Sequence, residues 1–313
     1  MSTLALVAAE PTRVARGIGM ALLAYASFST ADALLKLSSG AFSVFQIAFT
    51  MAFFAMLPVL ATTIGRGGIR SLMPRNKGMV AARGILAAIC GCLAWSAFSI
   101  LPMAEVYALL FAAPMLVTAL SALLLGEAVG WRRWSATLLG FLGVLVMIDP
   151  KFSSLGLGHV LAGLGAFAGA LSFIILKRIG ATEKSGALLM SVMLWVMVVT
   201  LPSALLGWVW PSPSELALMA LAGLLMGAGQ AGLVFATREA PAVVVAPFQY
   251  SQMIWAVVFG ILVFGDVPGL NLFLGLAIVV AAGLFIVYRE TVRARPVTVG
   301  GGRAEVPARV ARV

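Results

Sequence analysis

Charged residues are scarce in this sequence, and their scarcity excludes a water-soluble fold. Only 10% of the 313 residues are charged, whereas 62% are hydrophobic. A soluble domain carries about 25% charged residues, because its core must be covered by a polar shell. The composition therefore indicates a membrane protein.

Residues that bind metals or form disulfides are almost absent as well. The single histidine, His159, excludes a histidine metal cluster. Cys90 and Cys92 are too close together on a helix for a good disulfide, so we interpret both as small packing residues. The chain has no G-x-x-x-x-G-K loop, which excludes direct coupling to ATP in this chain. We expect neither a metal nor a cofactor.

Apolar runs of roughly membrane length make up most of the chain. We predict helices for them, because every backbone N–H and C=O inside lipid needs a partner within its own segment. The alternating pattern of a β-barrel is missing. The predicted helices are Gly17–Leu35, Ala41–Ile64, Val80–Ile100, Val106–Leu125, Trp134–Ile148, His159–Leu176, Ala187–Trp208, Leu216–Phe235, Val243–Phe264 and Leu272–Val287. The predicted fold class is an all-α polytopic membrane protein with ten transmembrane helices.

The basic residues fall on one side of this predicted bundle. With the amino terminus in the cytoplasm, every Lys and Arg except Lys36 and Lys151 lies on the cytoplasmic side. This positive-inside bias predicts that both termini are cytoplasmic. The net charge of +10 is then a topology signal, and we expect no nucleic-acid partner. The basic tail at 289–313 is predicted to be disordered and to contact anionic headgroups.

Proline, acid and glycine recur at one constant offset of 139 residues. The matched positions are Pro102 and Pro241, Val106 and Val245, Gly126–Glu127 and Gly265–Asp266, Ala136 and Gly275, and Gly84 and Gly223. We interpret this offset as an internal duplication. Five spans per copy is an odd number, so the two copies insert in opposite directions, as in many transporters. The predicted division is a tail at 1–16, repeats at 17–149 and 159–288, a connecting loop at 150–158, and a tail at 289–313.

One motif of this repeat resembles a known family. The first copy has L-L-L-G-E ending at Glu127, with small residues nine and sixteen positions later, at Ala136 and Gly143. The second copy has Asp266 with Gly275 and Ala282, a change of acid that keeps the charge. The pattern resembles the EamA-type repeat of the drug/metabolite transporter superfamily over roughly residues 17–290. The segment ADALLKL, at 31–37, resembles bacterial members that handle amino acids, cofactor-like metabolites or S-adenosylmethionine.

This resemblance implies a secondary transporter of the cell inner membrane that works by alternating access. Our first hypothesis for its function is export of amino acids, aromatic or hydrophobic ones. The alternative is uptake of a vitamin, a nucleoside-like or an S-adenosylmethionine-like metabolite. A membrane enzyme is disfavoured because the spans hold no catalytic set of His, Cys or paired acids. A channel is a further alternative, and saturable counterflow would distinguish a carrier from it. The expected partners are a small-molecule substrate and the bilayer, around a monomer or a homodimer.

Asp32 lies within a predicted membrane helix, where a charge costs about 2.5–3.5 kcal/mol. Of the ionisable residues in the spans, it most clearly requires a structural or functional role. It follows a polar run that includes Ser29, and it is predicted to bind a substrate amine or a proton. The structural alternative is an ion pair with Lys36, four residues on and on the same helix face. The acids Glu127 and Asp266 are expected to cap helices or to pair with loop arginines such as Arg132.

Amide and aromatic side chains complete the predicted central cavity. Amides in a membrane either join helices or line a polar cavity. Flat substrates stack on aromatic rings, whereas the structural alternative for these rings is ordinary packing. The predicted residues are Gln249, Gln252, Trp95, Tyr107, Gln230 and Tyr250, in addition to Asp32 and Ser29. Pro247 is predicted to open the ninth helix. The pairs Gly165–Gly169 and Gly223–Gly227 predict close helix contacts.

Overall fold

The computed structural model describes residues 11–126, 131–147, 156–179, 182–240, 245–266 and 268–293. Within these ranges the chain forms helices joined by short loops, without a β-strand. The helices are α1 (Pro11–Ser38), α2 (Val44–Gly67), α3 (Lys77–Phe98), α4 (Met103–Leu110), α5 (Ala113–Leu125), α6 (Trp131–Met147), α7 (Leu157–Ile179), α8 (Ser185–Leu206), α9 (Pro213–Glu239), α10 (Ser251–Phe259) and α11 (Leu270–Arg293).

Seven helical stretches in this part of the chain are long and apolar enough to cross a membrane. They are α1, α2, α3, the consecutive pair α4 and α5, α7, α8 and α9. The remaining predicted positions are also helical, and among the described residues Phe248–Phe264 and Leu270–Ala282 form shorter apolar stretches. The fold is thus all-helical and membrane-spanning, whereas the count of ten crossings stays a prediction.

Two predicted helices are interrupted, and a proline accompanies each interruption. Val106–Leu125 falls within α4 and α5, which are separated at Phe111–Ala112 just before Pro114. Val243–Phe264 includes a 3₁₀ turn at Ala246–Tyr250, then α10, then a π-helical turn at Gly260–Phe264. Proline removes a backbone donor and disturbs the preceding turn, so Pro247 opens this segment as its position predicts.

The helices pack in pairs that relate the two halves of the chain. The largest contacts are those of α1 with α9, α3 with α7, α6 with α11, α2 with both α8 and α9, and α3 with α8. Smaller contacts join α5 to α7 and α1 to α10. At the 139-residue offset α1 corresponds to α7, α2 to α8, α3 to α9, α5 to α10 and α6 to α11. If each helix in the contacts above is replaced by its counterpart in the other half, the same set of helix pairs results.

Matched glycines have matched conformations. Gly126 ends α5 with a φ of 66°, and Gly265 ends the π-helical turn with a φ of 69°. Each donates its backbone N–H to the carbonyl five residues earlier, on Ser121 and on Gly260 respectively. Left-handed backbone of this kind strongly favours glycine, which accounts for a glycine before each motif acid.

Other glycines lie where helices approach closely. A Cβ on Gly223 or Gly227 of α9 would press against backbone oxygens of α2, and a Cβ on Gly169 would lie 3.0 Å from Cys90 Sγ. On Gly165 it would lie 3.4 Å from the Cys90 carbonyl oxygen, so both predicted glycine pairs are confirmed as close contacts. The motif residue Gly143 of α6 faces α11, where an added Cβ would lie 2.9 Å from the Gly275 carbonyl oxygen.

Glu183, in the loop between α7 and α8, links this loop to the beginning of α3 by hydrogen bonds. Glu183 accepts hydrogen bonds from the backbone N–H of Arg75 at 2.9 Å and of Asn76 at 2.6 Å. These two donors hold the pKa of the Glu183 carboxyl below its ordinary value, because they favour the ionised form. We call this the Glu183 end of the bundle, and the opposite end, where α1 and α3 finish, the Lys36 end.

Candidate functional site

Asp32 of α1 is the centre of a buried polar cluster. Its carboxylate accepts hydrogen bonds from Trp95 Nε1 on α3 at 3.2 Å and from the Tyr107 hydroxyl on α4 at 2.6 Å. Only 7% of Asp32 is exposed. A buried carboxylate needs such donors, because removing it from water without them is costly. Three of the predicted site residues therefore meet at one carboxylate.

Two further predicted residues complete this cluster around the Tyr107 hydroxyl. The hydroxyl oxygen lies 3.3 Å from Ser29 Oγ, and the polar side chain of Gln252 on α10 lies near it. Ser29, Tyr107 and Gln252 are all buried. The cluster thus joins α1, α3 and α4 of the first half to α10 of the second half.

The alternative ion pair between Asp32 and Lys36 is wrong. Lys36 Nζ instead donates to the Leu101 carbonyl oxygen at 2.8 Å and lies 3.5 Å from Asp266 Oδ2. It also lies 4.7 Å from the centre of the Phe264 ring. Sequence spacing favoured Asp32, one turn earlier on the same helix. The ammonium group of Lys36 instead contacts Leu101 and Asp266, which lie on two other segments. Of the motif acids, Asp266 pairs with a helix lysine rather than with a loop arginine, and Glu127 lies outside the described residues.

A cavity of about 330 Å³ lies between α2, α3, α7, α8 and α9. It runs along α3 from Arg83, near the beginning of the helix, to Trp95, near its end. Gln230 of α9 and Ser172 of α7 also line it, and most of the remaining wall is apolar. Small-molecule sites typically have volumes of about 300–1,000 Å³ and a mainly apolar lining with a few placed polar groups. Trp95 links this cavity to the Asp32 cluster.

The remaining predicted residues divide between the cavity, the cluster and the surface. Gln230 is half-buried and lines the cavity. Tyr250 packs its ring against Phe111, with centroids 5.3 Å apart. Gln249 is exposed and is not among the residues that line the cavity. Gln249 and Gln252 were predicted to share a face, but Gln249 is exposed whereas Gln252 is buried.

Sequence reasoning missed Arg83 as a site residue. It was counted with the cytoplasmic charges, yet it lies within α3 and lines the cavity. Its Nη1 donates to the Leu188 carbonyl oxygen at 2.7 Å. The signal available in the sequence was its position inside a predicted span, because an ionisable residue there needs a functional or structural partner.

A second pocket, of about 250 Å³, lies at the Lys36 end. Glu105 and Asp266 line it, and Glu105 Oε2 lies 3.6 Å from His159 Nε2. Both acids therefore have a basic neighbour from another segment. Among the described residues no group of three His, Cys, Asp or Glu side chains is arranged to hold a metal ion.

Known proteins share both the sequence pattern and the fold. Residues 15–149 match the model of the EamA-like transporter family. A riboflavin transporter of Rhizobium johnstonii is 31% identical over 300 residues, which cover 92% of this chain and 96% of that protein. The chain belongs to the EamA-like transporter family. It is therefore a membrane transporter, and its substrate is a small molecule.

Further relatives and one solved structure extend the comparison. A riboflavin transporter of Vibrio cholerae is 31% identical over 256 residues, 81% of this chain and 85% of its own. An S-adenosylmethionine uptake transporter of Rickettsia felis is 28% identical over 279 residues, 88% of this chain and 93% of its own. One crystal structure superposes with a TM-score of 0.63 at 19% identity, covering 88% of this chain and 99% of its own, which shows a shared fold.

Proposed function

We propose that this protein is a secondary carrier that takes up a flat heteroaromatic metabolite of the riboflavin type across the inner membrane. The observation that carries the proposal is the cavity along α3, in which an indole, an amide and one cation interrupt an apolar wall. Two relatives with 31% identity are named as riboflavin transporters. These relatives favour the uptake alternative over amino-acid export.

The charge of the cavity wall supports a neutral or acidic substrate over a cationic one. Among the described residues that line the cavity, Arg83 alone carries a charge. A positively charged metabolite would be repelled by its guanidinium. A flat ring system can instead stack on Trp95 and hydrogen-bond Gln230, which would account for an aromatic and an amide side chain on one wall.

An S-adenosylmethionine-like metabolite is the second candidate. Its support is the group of relatives from Rickettsia species that are named for uptake of that compound, at 26–28% identity. One feature of this chain favours it: the Asp32 carboxylate lies at the edge of the Trp95 indole, 3.2 Å from its nitrogen. A cationic centre stacked on that indole would gain from the nearby negative charge.

Alternating access of two inverted halves is the mechanism we propose. In such carriers two similar halves adopt two arrangements of similar energy around one central site. The helix pairs of this chain support that scheme. If each paired helix is replaced by its counterpart in the other half, the same principal contacts result. With the basic residues on the cytoplasmic side, the Glu183 end would face the cytoplasm and the Lys36 end would face outward.

Counterflow of radiolabelled riboflavin into proteoliposomes tests this function. The purified protein should show saturable counterflow, and S-adenosylmethionine should compete weakly. The variant Trp95→Ala should reduce the rate about 10-fold or more, since it removes a stacking surface and an Asp32 donor. The matched control is Trp210→Ala, because Trp210 is 86% exposed and does not line the cavity.

The outcomes separate the candidates. Saturable S-adenosylmethionine counterflow without riboflavin counterflow would select the second candidate. Non-saturating flux of either compound would mean a pore. Equal rates for Trp95→Ala and Trp210→Ala would mean that the cavity along α3 is not the transport site. Gln249→Ala belongs in the same series, because the exposed position of Gln249 now predicts an unchanged rate.

A further inference from the structure

Arg83 is a cation within a membrane helix whose bonding is incomplete. Its Nη1 donates to the Leu188 carbonyl oxygen, but its Nε is buried without a hydrogen-bond partner among the described residues. No ion pair between Arg83 and an acid occurs in the part of the chain that the structure describes. Its backbone carbonyl is separately engaged by Ser172 Oγ at 3.0 Å, which fixes α3 against α7 beside the side chain.

An incompletely bonded guanidinium in this position needs an explanation. Burying a charge without a counter-charge is costly, and ionisable residues within membrane segments commonly mark a substrate path. A purely structural role would be met by the Leu188 contact alone and would not require the residue to line a cavity. Arg83 does line the cavity, together with Trp95 and Gln230. An oxygen-bearing anion in the cavity would supply the missing counter-charge.

We propose that Arg83 is a specificity residue that binds a phosphate or carboxylate at one end of the substrate. The planar guanidinium fork matches the geometry of both groups. Arg83 and Trp95 lie twelve residues apart on α3, which separates them by about 18 Å along the helix. The substrate is then elongated, with its acidic group at the Glu183 end and its flat ring at Trp95. This assignment rests on the proposed function only in taking the cavity as the transport site.

The first test detects the positive charge of the cavity without any substrate. Ala87 lines the same cavity one helix turn after Arg83, so Ala87→Cys provides a reporter in a Cys90→Ala, Cys92→Ala background. We measure the rates of modification by methanethiosulfonates that carry a sulfonate or a trimethylammonium group. The ratio of sulfonate to trimethylammonium rates should fall about 10-fold or more in Arg83→Gln, because the charge lies within one turn of the thiol.

A matched control separates this local effect from general surface charge. Arg178→Gln removes the same charge at the Glu183 end of α7, where the residue is exposed and outside the cavity lining. Its modification ratio should equal that of the parent. Thermal unfolding of each variant reports any damage from the lost Leu188 contact, and Arg83→Met removes the same charge if Arg83→Gln fails to fold. A ratio in the folded, charge-free variant that equals that of the parent overturns the proposal.

The second test asks whether the same charge selects the substrate. Riboflavin and riboflavin 5′-phosphate are compared as competitors of riboflavin counterflow. In the parent the phosphate ester should compete at about 10-fold lower concentration, and in Arg83→Gln the two should compete equally. Equal competition in the parent as well overturns the selective role of Arg83. A changed thiol ratio without any riboflavin counterflow would leave the anion site standing and overturn the proposed riboflavin-type function instead.

Discussion

The two halves of this chain have a similar skeleton and different chemistry. Gly126 and Gly265 end equivalent helices with φ values of 66° and 69°, and Gly84 and Gly223 both lie at close helix crossings. Those four positions repeat at the 139-residue offset. The polar residues of the site do not. At the same offset Asp32 corresponds to Leu171, Arg83 to Ala222, Trp95 to Val234 and Tyr107 to Ala246.

Under the alternating access and the substrate site proposed above, this difference separates features that serve the conformational change from features that serve the substrate. Two arrangements of similar energy require that both halves pack in the same way, so glycine contacts must be kept in each copy. A single asymmetric substrate needs its charged and aromatic partners only once. The first half therefore supplies Asp32, Arg83, Trp95 and Tyr107, whereas the second half supplies the amides of Gln230 and Gln252.

The largest expected effect comes from breaking the shared skeleton at Gly223. In Gly223→Ala the new Cβ would press against the Met51 carbonyl oxygen and lie 2.8 Å from Phe54 Cβ, so α9 and α2 must separate. We expect a loss of about 1–3 kcal/mol in the free energy of unfolding, which is typical of overpacking. Thermal unfolding of the purified protein in detergent measures it.

The equivalent change in the other half gives the comparison, and a third glycine gives the control. Gly84→Ala meets mainly the Trp195 side chain, which can move, so it should cost less than Gly223→Ala. Gly163→Ala on α7 meets nothing within 4 Å and should be neutral or stabilising by up to about 1 kcal/mol. If Gly223→Ala were as stable as Gly163→Ala, close packing at this crossing would not matter to stability.

Much of the skeleton could be predicted because it depends on local rules. Long apolar runs must be helical in lipid, and the recurrence of Gly126 and Gly265 indicated equivalent helix ends. The interruptions near Pro114 and at Pro247 were harder to place, because a proline indicates a disturbance but not whether the chain forms a 3₁₀ turn or two helices. The contacts of α1 with α9 and of α3 with α7 depend on distant segments, which no periodicity shows.

The site could be predicted as a list of residues but not as an arrangement. Asp32, Trp95 and Tyr107 were each candidates for their own chemistry, whereas their hydrogen bonds join three separate helices. Gln249 was misplaced because spacing along one segment does not show which side of that segment the other helices cover. Arg83 was missed because its charge had already been explained by the topology, although the charge of a residue and its position in a cavity are independent facts.

Tyr107 and Tyr250 sharpen the comparison at the level of single hydroxyl groups. Tyr107→Phe removes the 2.6 Å hydrogen bond to Asp32 while keeping the ring that packs on Phe98 and Phe111. Hydrogen bonds to charged groups contribute about 1.5–3 kcal/mol. We therefore expect a loss of about 1.5 kcal/mol in the free energy of unfolding. Because Asp32 also accepts from Trp95 of the cavity wall, we expect the concentration for half-maximal riboflavin counterflow to rise about 10-fold as well.

The matched control makes the same change in the second half. Tyr250 packs on Phe111, and its hydroxyl has no hydrogen-bond partner within the described ranges. Tyr250→Phe should therefore change the half-maximal concentration by less than about 2-fold. A larger effect for Tyr250→Phe than for Tyr107→Phe would show that the second half carries the decisive polar contact, and the asymmetry inferred from the 139-residue offset would be reversed.

The smallest expected effect concerns the ion pair that joins the two halves at the Lys36 end. Asp266→Asn removes only the charge that lies 3.5 Å from Lys36 Nζ, and because both side chains are partly exposed we expect a loss of about 0.5 kcal/mol. Lys36→Met also removes the hydrogen bond to Leu101 and should cost more. A double-mutant cycle on thermal stability isolates their coupling. A coupling near zero would mean that Leu101, a residue of the first half, holds Lys36 alone, and that this end of the bundle is closed within one half rather than between the two.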